Sequence, residues 1–157
     1  MYKDTKMDIW NLNYLIYWGE HKMLPERNEK YAVVYVNLAQ FRRYNVIYGW
    51  NAGESLLEGV AGILMKNVDK EDEICARDQG DHFVFLLQYE DAEKFRMRIM
   101  EIKGEVEEWI LKETDNRMLL KMGIYYLPKE SKDLRLAISY ANQALDYAGN
   151  AKGEEVK

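Results

Sequence analysis

Two short apolar runs separated by a tight polar turn constrain the fold of this chain most strongly. The runs lie at 74–77 and 83–87, and the turn between them carries Gly80 and two aspartates. Glycine supplies the positive φ that a tight hairpin needs, and aspartate tolerates the same region. The pattern therefore predicts an antiparallel hairpin. A carboxylate at its tip can hold a metal ion and the phosphates attached to it, with an ordinary turn as the alternative.

Helices and strands alternate on either side of this hairpin. Apolar spacing predicts helices at 6–22, 41–48, 51–67, 91–112 and from Ser131 to 148, and β-branched runs predict strands at 31–36 and 118–127. This order indicates an α+β fold, a ferredoxin-like sandwich with helices over a mixed, mostly antiparallel sheet. In that fold the end of the first strand and the hairpin tip lie side by side.

We expect one domain at 31–150, preceded by an N-terminal helix and linker at 1–30 and followed by a charged, frayed tail at 151–157. The net charge of −5 over 157 residues gives no indication of a nucleic-acid partner. No apolar run approaches the ~20 residues that span a bilayer, so no membrane segment is expected. The single cysteine, Cys75, lies in a predicted strand and is expected to be a buried hydrophobe of a cytoplasmic protein.

The residues after the first strand carry a recognisable motif. The segment 37–57 reads NLAQFRRYNVIYGWNAGESLL, and 76–83 reads ARDQGDHF. Together they resemble the GGDEF domain of diguanylate cyclases, whose motifs read D-x-D-x-F-K-x-x-N-D-x-x-G-H-x-x-G-D-x-x-L and R-x-G-G-D-E-F. Weaker matches at 4–11, 122–124 and 140–145 extend the resemblance over nearly the whole chain.

The resemblance implies the nucleotidyl-cyclase palm fold and a reaction in which a dimer joins two GTP molecules, using two Mg²⁺ ions. The metal aspartate of the first motif falls at Asn37, and the second aspartate of that motif falls at Ala39. In the hairpin one metal carboxylate is kept as Asp81, while the adjoining glutamate is His82 and the first glycine is Gln79. Mg²⁺ prefers carboxylate oxygens, so each lost anionic ligand weakens its site. What remains is a weak metal site at Asp81 with Asn37, and the chain is predicted to be catalytically inactive.

The nucleotide-binding residues are better preserved. Asn45 and Glu54 match the residues that bind guanine in the family, and Gly80 matches the glycine beside the phosphates. A helix cap for Asn45 and a solvated helix charge for Glu54 are the alternatives. The phosphate-binding lysine and the basic residue after it fall at Gly149 and Gly153.

Two further motifs are interpreted as structural. Asp81 and His82 are neighbours at a strand, where adjacent side chains point to opposite faces, so no shared transition-metal site is predicted. Lys70 and Glu73 match the product-binding R-x-x-D motif of the family, but lysine lacks the planar fork of arginine. We interpret them as a charged surface turn.

The sequence thus predicts a degenerate GGDEF domain acting as a regulatory module in a bacterial cyclic-di-GMP signalling protein. The resemblance implies GTP as a ligand, Mg²⁺ bound together with it, homodimerisation, and a sensor or phosphodiesterase domain in the same longer chain. One alternative is an active diguanylate cyclase that tolerates Asn37 and His82. Another is a nucleotide-independent interaction domain that uses its surplus aromatic residues at an interface.

Overall fold

A six-stranded sheet with helices on both faces organises the part of the chain that the computed structural model describes, residues 3–4, 7–25, 27, 29–145 and 154–156. The strands are β1 (Trp10–Asn11), β2 (Lys30–Leu38), β3 (Ile74–Arg77), β4 (His82–Tyr89), β5 (Leu120–Tyr126) and β6 (Glu154–Val156). The helices are α1 (Leu12–Trp18, continued by a π-helical turn at Gly19–Met23), α2 (Phe41–Tyr48), α3 (Trp50–Lys66), α4 (Ala92–Thr114) and α5 (Leu134–Gln143).

The sheet order β1-β3-β4-β2-β5-β6 places β2 and β4 at its centre. β1 pairs with β3 in parallel, and the other neighbouring strands are antiparallel, which gives the predicted mixed sheet. Along the central pair, Lys30 lies opposite Tyr89 and Asn37 lies opposite His82. The end of β2 and the tip of the hairpin therefore adjoin, as the predicted fold requires.

Both faces of the sheet are covered, and β2 shows this most clearly. Val34 and Val36 belong to the hydrophobic cluster under α3 and α4, whereas Val33 and Tyr35 belong to the cluster under α1 and α5. Successive strand residues point to opposite faces, so a strand buried on both sides is a continuous apolar run. Cys75 is buried, as expected, and burial raises the pKa of its thiol.

The N-terminal helix is shorter than the predicted 6–22. Asn11 caps α1, because its side-chain oxygen accepts a hydrogen bond from Tyr14 N at 3.0 Å. A side-chain cap fixes where a helix begins. Ile9 is fully buried, but it lies in a bend before the helix and not on it. The apolar spacing was correct about the burial and about the helix from Leu12 onward, and wrong only about where the helix begins.

The C-terminal part also differs from the prediction. α5 begins after Asp133 and not after Ser131, since the Asp133 side chain accepts from Leu136 N. Residues 154–156 were expected to be frayed, but they form β6, paired with β5, and Val156 is buried. Residue 148, predicted at the end of the last helix, is outside the described residues. Among the described helices, none combines the length and the apolar character that crossing a membrane requires.

Candidate functional site

The hairpin between β3 and β4 ends in a four-residue turn. His82 N donates to Gln79 O at 2.9 Å, and Gly80 has a φ of +53° at the first central position of the turn. This confirms that the turn uses glycine for a positive φ. Gln79 is exposed at the tip, and Gly80 O accepts from Arg77 Nε at 2.9 Å.

His82 lies at the centre of a hydrogen-bonded chain of four side chains. Its Nε2 is 2.8 Å from Asn37 Nδ2, and its Nδ1 is 2.9 Å from the hydroxyl oxygen of Tyr35. Tyr35 in turn donates its hydroxyl proton to Asp78 Oδ2 at 2.7 Å. We call this chain, Asn37–His82–Tyr35–Asp78, the hairpin relay.

The direction of each bond in the hairpin relay follows from its last member. Because Tyr35 uses its single proton on Asp78, its oxygen must accept from His82 Nδ1–H. His82 Nε2 is then the unprotonated nitrogen, and Asn37 donates an amide proton to it. Burial, the hydrogen bond to Asp78 and the charge of that carboxylate together raise the pKa of Tyr35.

Asp81 lies beside the hairpin relay. Its Oδ2 accepts from Leu38 N at 3.2 Å, and its Oδ1 is 3.7 Å from His82 Nε2. The expectation that Asp81 and His82 point to opposite faces is wrong, because β4 begins at His82 and Asp81 belongs to the turn, outside the alternation of the strand.

This donor set does not fit the two Mg²⁺ ions of the family's reaction. The Asn37 amide is directed at an imidazole, Ala39 has no polar side-chain atom, and Asp81 is the carboxylate kept from the metal motifs. Among the described residues, no three His, Cys, Asp or Glu side chains are grouped so that they could hold a metal ion. A hard divalent cation needs several oxygen ligands, and two carboxylates of the motif are missing.

The α2–α3 side of the site is different. Asn45 lies inside α2 and is not a cap, since that helix continues to Tyr48. Its Oδ1 is buried and has no hydrogen-bond partner among the described residues. A Cβ built on Gly53 would overlap this oxygen, so the glycine in α3 is what leaves room for it.

Glu54 follows Gly53 on α3 and is also partly enclosed. Its side chain is 17% exposed, and its Oε1 is 3.6 Å from Arg77 Nη2, so the interpretation as a solvated helix charge is wrong. The structure therefore brings Asn45 and Glu54 to one end of α2 and α3. Gly80 lies at the nearby hairpin tip, which Arg77 connects to Glu54.

Arg77 is the residue whose role the sequence did not reveal. It is 5% exposed, and its guanidinium contacts Asp4 Oδ1 at 3.3 Å as well as Glu54 and Gly80 O. A strongly basic residue at the end of an apolar strand, between acidic segments, is the signal that could have indicated it. Arginine suits this role because its planar fork can donate to several acceptors at once.

Of the two residues predicted to form a charged surface turn, Lys70 is placed as expected and Glu73 is not. Lys70 is exposed, but Glu73 is buried and its carboxylate accepts from Asp69 N and Gln88 N. Arg98 of α4 donates to both oxygens of Glu73, at 2.7 and 2.9 Å. The interpretation of Glu73 as a surface charge is wrong, because this buried carboxylate is hydrogen-bonded to the turn before β3, to β4 and to α4.

One cavity lies away from the hairpin. It has a volume of about 660 Å³ and is lined by Lys30, Tyr89, Glu73 and Arg98, among others. Lys30 and Tyr89 are at the opposite end of the β2–β4 pair from Asn37 and His82, seven residue steps or ~23 Å along the strands. The candidate site at the hairpin tip therefore lies apart from this cavity. Gly149 and Gly153 are outside the described residues.

Comparisons with known proteins identify the family to which this sequence is similar. The family model described as "Diguanylate cyclase, GGDEF domain" matches residues 4–155. The "Probable diguanylate cyclase DgcT" of Escherichia coli (strain K12) is 24% identical over 106 residues, which are 68% of this chain and 23% of that protein. The chain thus spans about a quarter of the length of this relative.

Solved structures share the fold. The GGDEF domain of DgcB from Caulobacter crescentus, solved in complex with c-di-GMP, superposes with a TM-score of 0.79 and 16% identity, covering 92% of this chain and 87% of that one. The diguanylate cyclase SiaD from Pseudomonas aeruginosa, solved with its activator SiaC, gives a TM-score of 0.75 and 15% identity, covering 91% of this chain and 56% of that one.

Proposed function

This chain belongs to the diguanylate cyclase GGDEF-domain family, and from that premise we propose that it is a catalytically silent, cytoplasmic member that regulates a cyclic-di-GMP signalling protein. The hydrogen bond from Asn37 Nδ2 to His82 Nε2 carries the proposal. Both residues occupy positions where the family motif has acidic groups, and here their side chains are hydrogen-bonded to one another.

We expect catalytic silence because the site has lost carboxylate charge that would hold the metal ions. Metal ions in phosphoryl transfer stabilise the charge that develops on the phosphate, an effect of several kcal/mol, and ~1.4 kcal/mol is a tenfold change in rate. An amide and an imidazole lack the negative charge of the carboxylates that hold Mg²⁺. Asp81 remains as a carboxylate, but it already accepts from Leu38 N.

We propose that GTP still binds through its base. The buried Asn45 Oδ1 lacks a partner among the described residues, and a guanine N–H group is a donor that would satisfy it. The Glu54 carboxylate can accept from the N1–H and N2–H edge of guanine while it remains beside Arg77. In this proposal Mg²⁺ arrives as part of the GTP complex and is not held by the protein beforehand.

The regulatory role follows from binding without turnover. A GTP-bound domain can change the activity of a sensor or phosphodiesterase domain in the same polypeptide, or the stability of a homodimer. The test is the GTP dependence of the neighbouring domain's activity in the full-length protein. A response to GTP that Glu54→Gln removes supports the role, and an activity that never responds to GTP contradicts it.

Catalytic silence has a direct assay. The purified protein is incubated with GTP and Mg²⁺, and cyclic-di-GMP is quantified by chromatography, with an active diguanylate cyclase as the positive control. We expect no product from this chain, because the metal ligands are missing. Product formation at a rate comparable to the control would contradict the proposal and support the active-cyclase alternative.

Base recognition is tested by thermal shift with GTP and with ATP. A ligand that binds only the folded state raises the melting temperature by an amount that grows with ligand concentration over Kd. We expect a shift with GTP and a much smaller one with ATP, whose base has no N1–H donor. Equal shifts with both nucleotides would refute guanine recognition, and no shift at all would favour the nucleotide-independent interaction domain.

A further inference from the structure

The position of the His82 ring carries an inference about metal binding. Its Nε2 is 2.8 Å from Asn37 Nδ2 and 3.7 Å from Asp81 Oδ1. The ring nitrogen is therefore close to both side chains of the weak metal site expected from the motif. We infer that Asn37 and His82 are a coupled pair, in which a hydrogen bond replaces the divalent metal, and that a metal site returns only when both positions are changed together.

The hairpin relay holds the ring in this place. Tyr35 is 3% exposed and fixed in the sheet, and its oxygen engages His82 Nδ1 at 2.9 Å. The ring also meets the Tyr35 ring edge to face, with centroids 5.6 Å apart. Because one nitrogen of the ring is bonded to Tyr35 and the other to Asn37, a rotation of the imidazole breaks two hydrogen bonds. The ring is thus held in place next to both Asn37 and Asp81.

The coupling follows from this placement. Replacing Asn37 by aspartate alone adds a carboxylate, but the ring still occupies the space next to it and to Asp81. Replacing His82 alone removes the ring, but it leaves a neutral amide at position 37 and deprives that amide of its acceptor. Both changes together give carboxylates at 37 and 81 without the ring beside them, the oxygen-rich environment that Mg²⁺ and Mn²⁺ require.

The test uses Mn²⁺ alone, followed by its electron paramagnetic resonance signal, on the whole chain. Asn37→Asp/His82→Glu is compared with both single variants and the unmodified protein. We expect the double variant to bind Mn²⁺ about tenfold or more tightly than either single variant. The reason is that His82→Glu alone lacks a carboxylate at position 37, and Asn37→Asp alone keeps the imidazole ring next to it. Equal affinities in Asn37→Asp and the double variant would overturn the inference, as would tight binding by the unmodified protein.

A second double variant separates removal of the ring from added charge. Asn37→Asp/His82→Ala opens the space without a new carboxylate at 82, and it should also bind Mn²⁺ more tightly than Asn37→Asp. If it binds no better, the ring is not the obstacle and the inference fails. Circular dichroism and urea unfolding identify any variant that does not fold, and the other double variant then decides the question.

The inference rests on the proposed function only for the identity of the site. Because the probe is the metal alone, the Mn²⁺ result does not depend on GTP. A protein that fails to bind GTP would contradict the proposed function and leave the coupling between Asn37 and His82 to be decided by this experiment.

Discussion

The two sides of the candidate nucleotide site differ in how their polar atoms are satisfied. On the α2–α3 side, Asn45 Oδ1 is buried with no hydrogen-bond partner among the described residues. On the hairpin side, the Asn37 amide, the His82 ring and the Tyr35 hydroxyl are bonded to one another. Buried polar groups without a partner cost stability, and proteins keep few of them.

This difference supports the proposed division of the site. An acceptor without a partner among the described residues, next to a glycine that makes room for it, is a group that a ligand donor could satisfy, and such a bond would repay the cost of burying it. A closed set of hydrogen bonds gains nothing from a ligand, because binding would first have to break them. We therefore propose that the base-binding side is retained while the metal-binding side is closed.

The largest expected effect comes from the residue that joins the two sides. Arg77→Ala removes a buried guanidinium that contacts Glu54 on one side and Gly80 O on the other, together with Asp4. Removing one partner of a buried charge pair costs about 3 kcal/mol or more. We therefore expect the free energy of unfolding, measured in urea, to fall by about this amount.

Arg77→Lys is the matched control for this change. It keeps the charge and loses the planar fork, so it should recover only part of the stability. A stability of Arg77→Ala equal to that of the unmodified protein would show that Arg77 does not hold the two sides together.

A smaller effect is expected from a substitution that fills the space around the Asn45 side chain on the base-binding side. A methyl group at Gly53 overlaps Asn45 Oδ1 and lies 3.2 Å from Phe41 Cζ, so Gly53→Ala must displace the asparagine. We expect a stability loss of about 1–2 kcal/mol, typical of overpacking, together with loss of the GTP-dependent thermal shift.

Gly62→Ala, in the same helix, provides the comparison. Among the described residues, no atom outside the helix's own backbone and the two chain neighbours lies within 4 Å of a Cβ at that position, and the change should stabilise the helix by about 0.5–1 kcal/mol. If the two variants had the same stability and the same response to GTP, Gly53 would not be the residue that makes room for Asn45.

The smallest effect concerns Tyr35 on the hairpin side. Tyr35→Phe removes the bonds to Asp78 and His82, and we expect a loss of about 1 kcal/mol near neutral pH. The raised pKa of Tyr35 also predicts a dependence on pH. Its contribution is complete below the unfolded-state pKa of about 10 and is lost as the pH rises further, because the unfolded chain releases the proton first.

Urea unfolding between about pH 9 and about pH 11 measures this alkaline loss of stability. The loss should be smaller in Tyr35→Phe than in the unmodified protein. Some loss remains in the variant, since burial also raises the pKa of Cys75 and Tyr31. If the free energy of unfolding fell equally with rising pH in the two proteins, Tyr35 would not be held protonated by the hairpin relay.

Much of this fold could be predicted from local patterns. The apolar run at β2, the helical spacing of α4 and the glycine turn at Gly80 each determine one element, because burial and turn geometry act over a few residues. The start of α1 and the pairing of β6 could not be predicted in this way. The first depends on a cap at Asn11, and the second depends on β5, which lies about thirty residues earlier in the chain.

The candidate site shows the same limit. The motif singled out Asn45 and Glu54, whose guanine-binding role stays a prediction, and the structure places one on α2 and the other on α3. The bond between Asn37 and His82, which are 45 residues apart, follows only from strand register. The parts played by Tyr35, Asp78 and Arg77 depend on contacts across the sheet, which residue spacing alone cannot reveal.

The measurement that tests the comparison most directly is a GTP thermal-shift titration of Asn45→Ala and Asn37→Ala. Both variants replace an asparagine by alanine, one on each side of the site. The account predicts that Asn45→Ala loses the GTP shift, whereas Asn37→Ala melts at a lower temperature but keeps the shift. Loss of the shift in Asn37→Ala with an unchanged response in Asn45→Ala would contradict it.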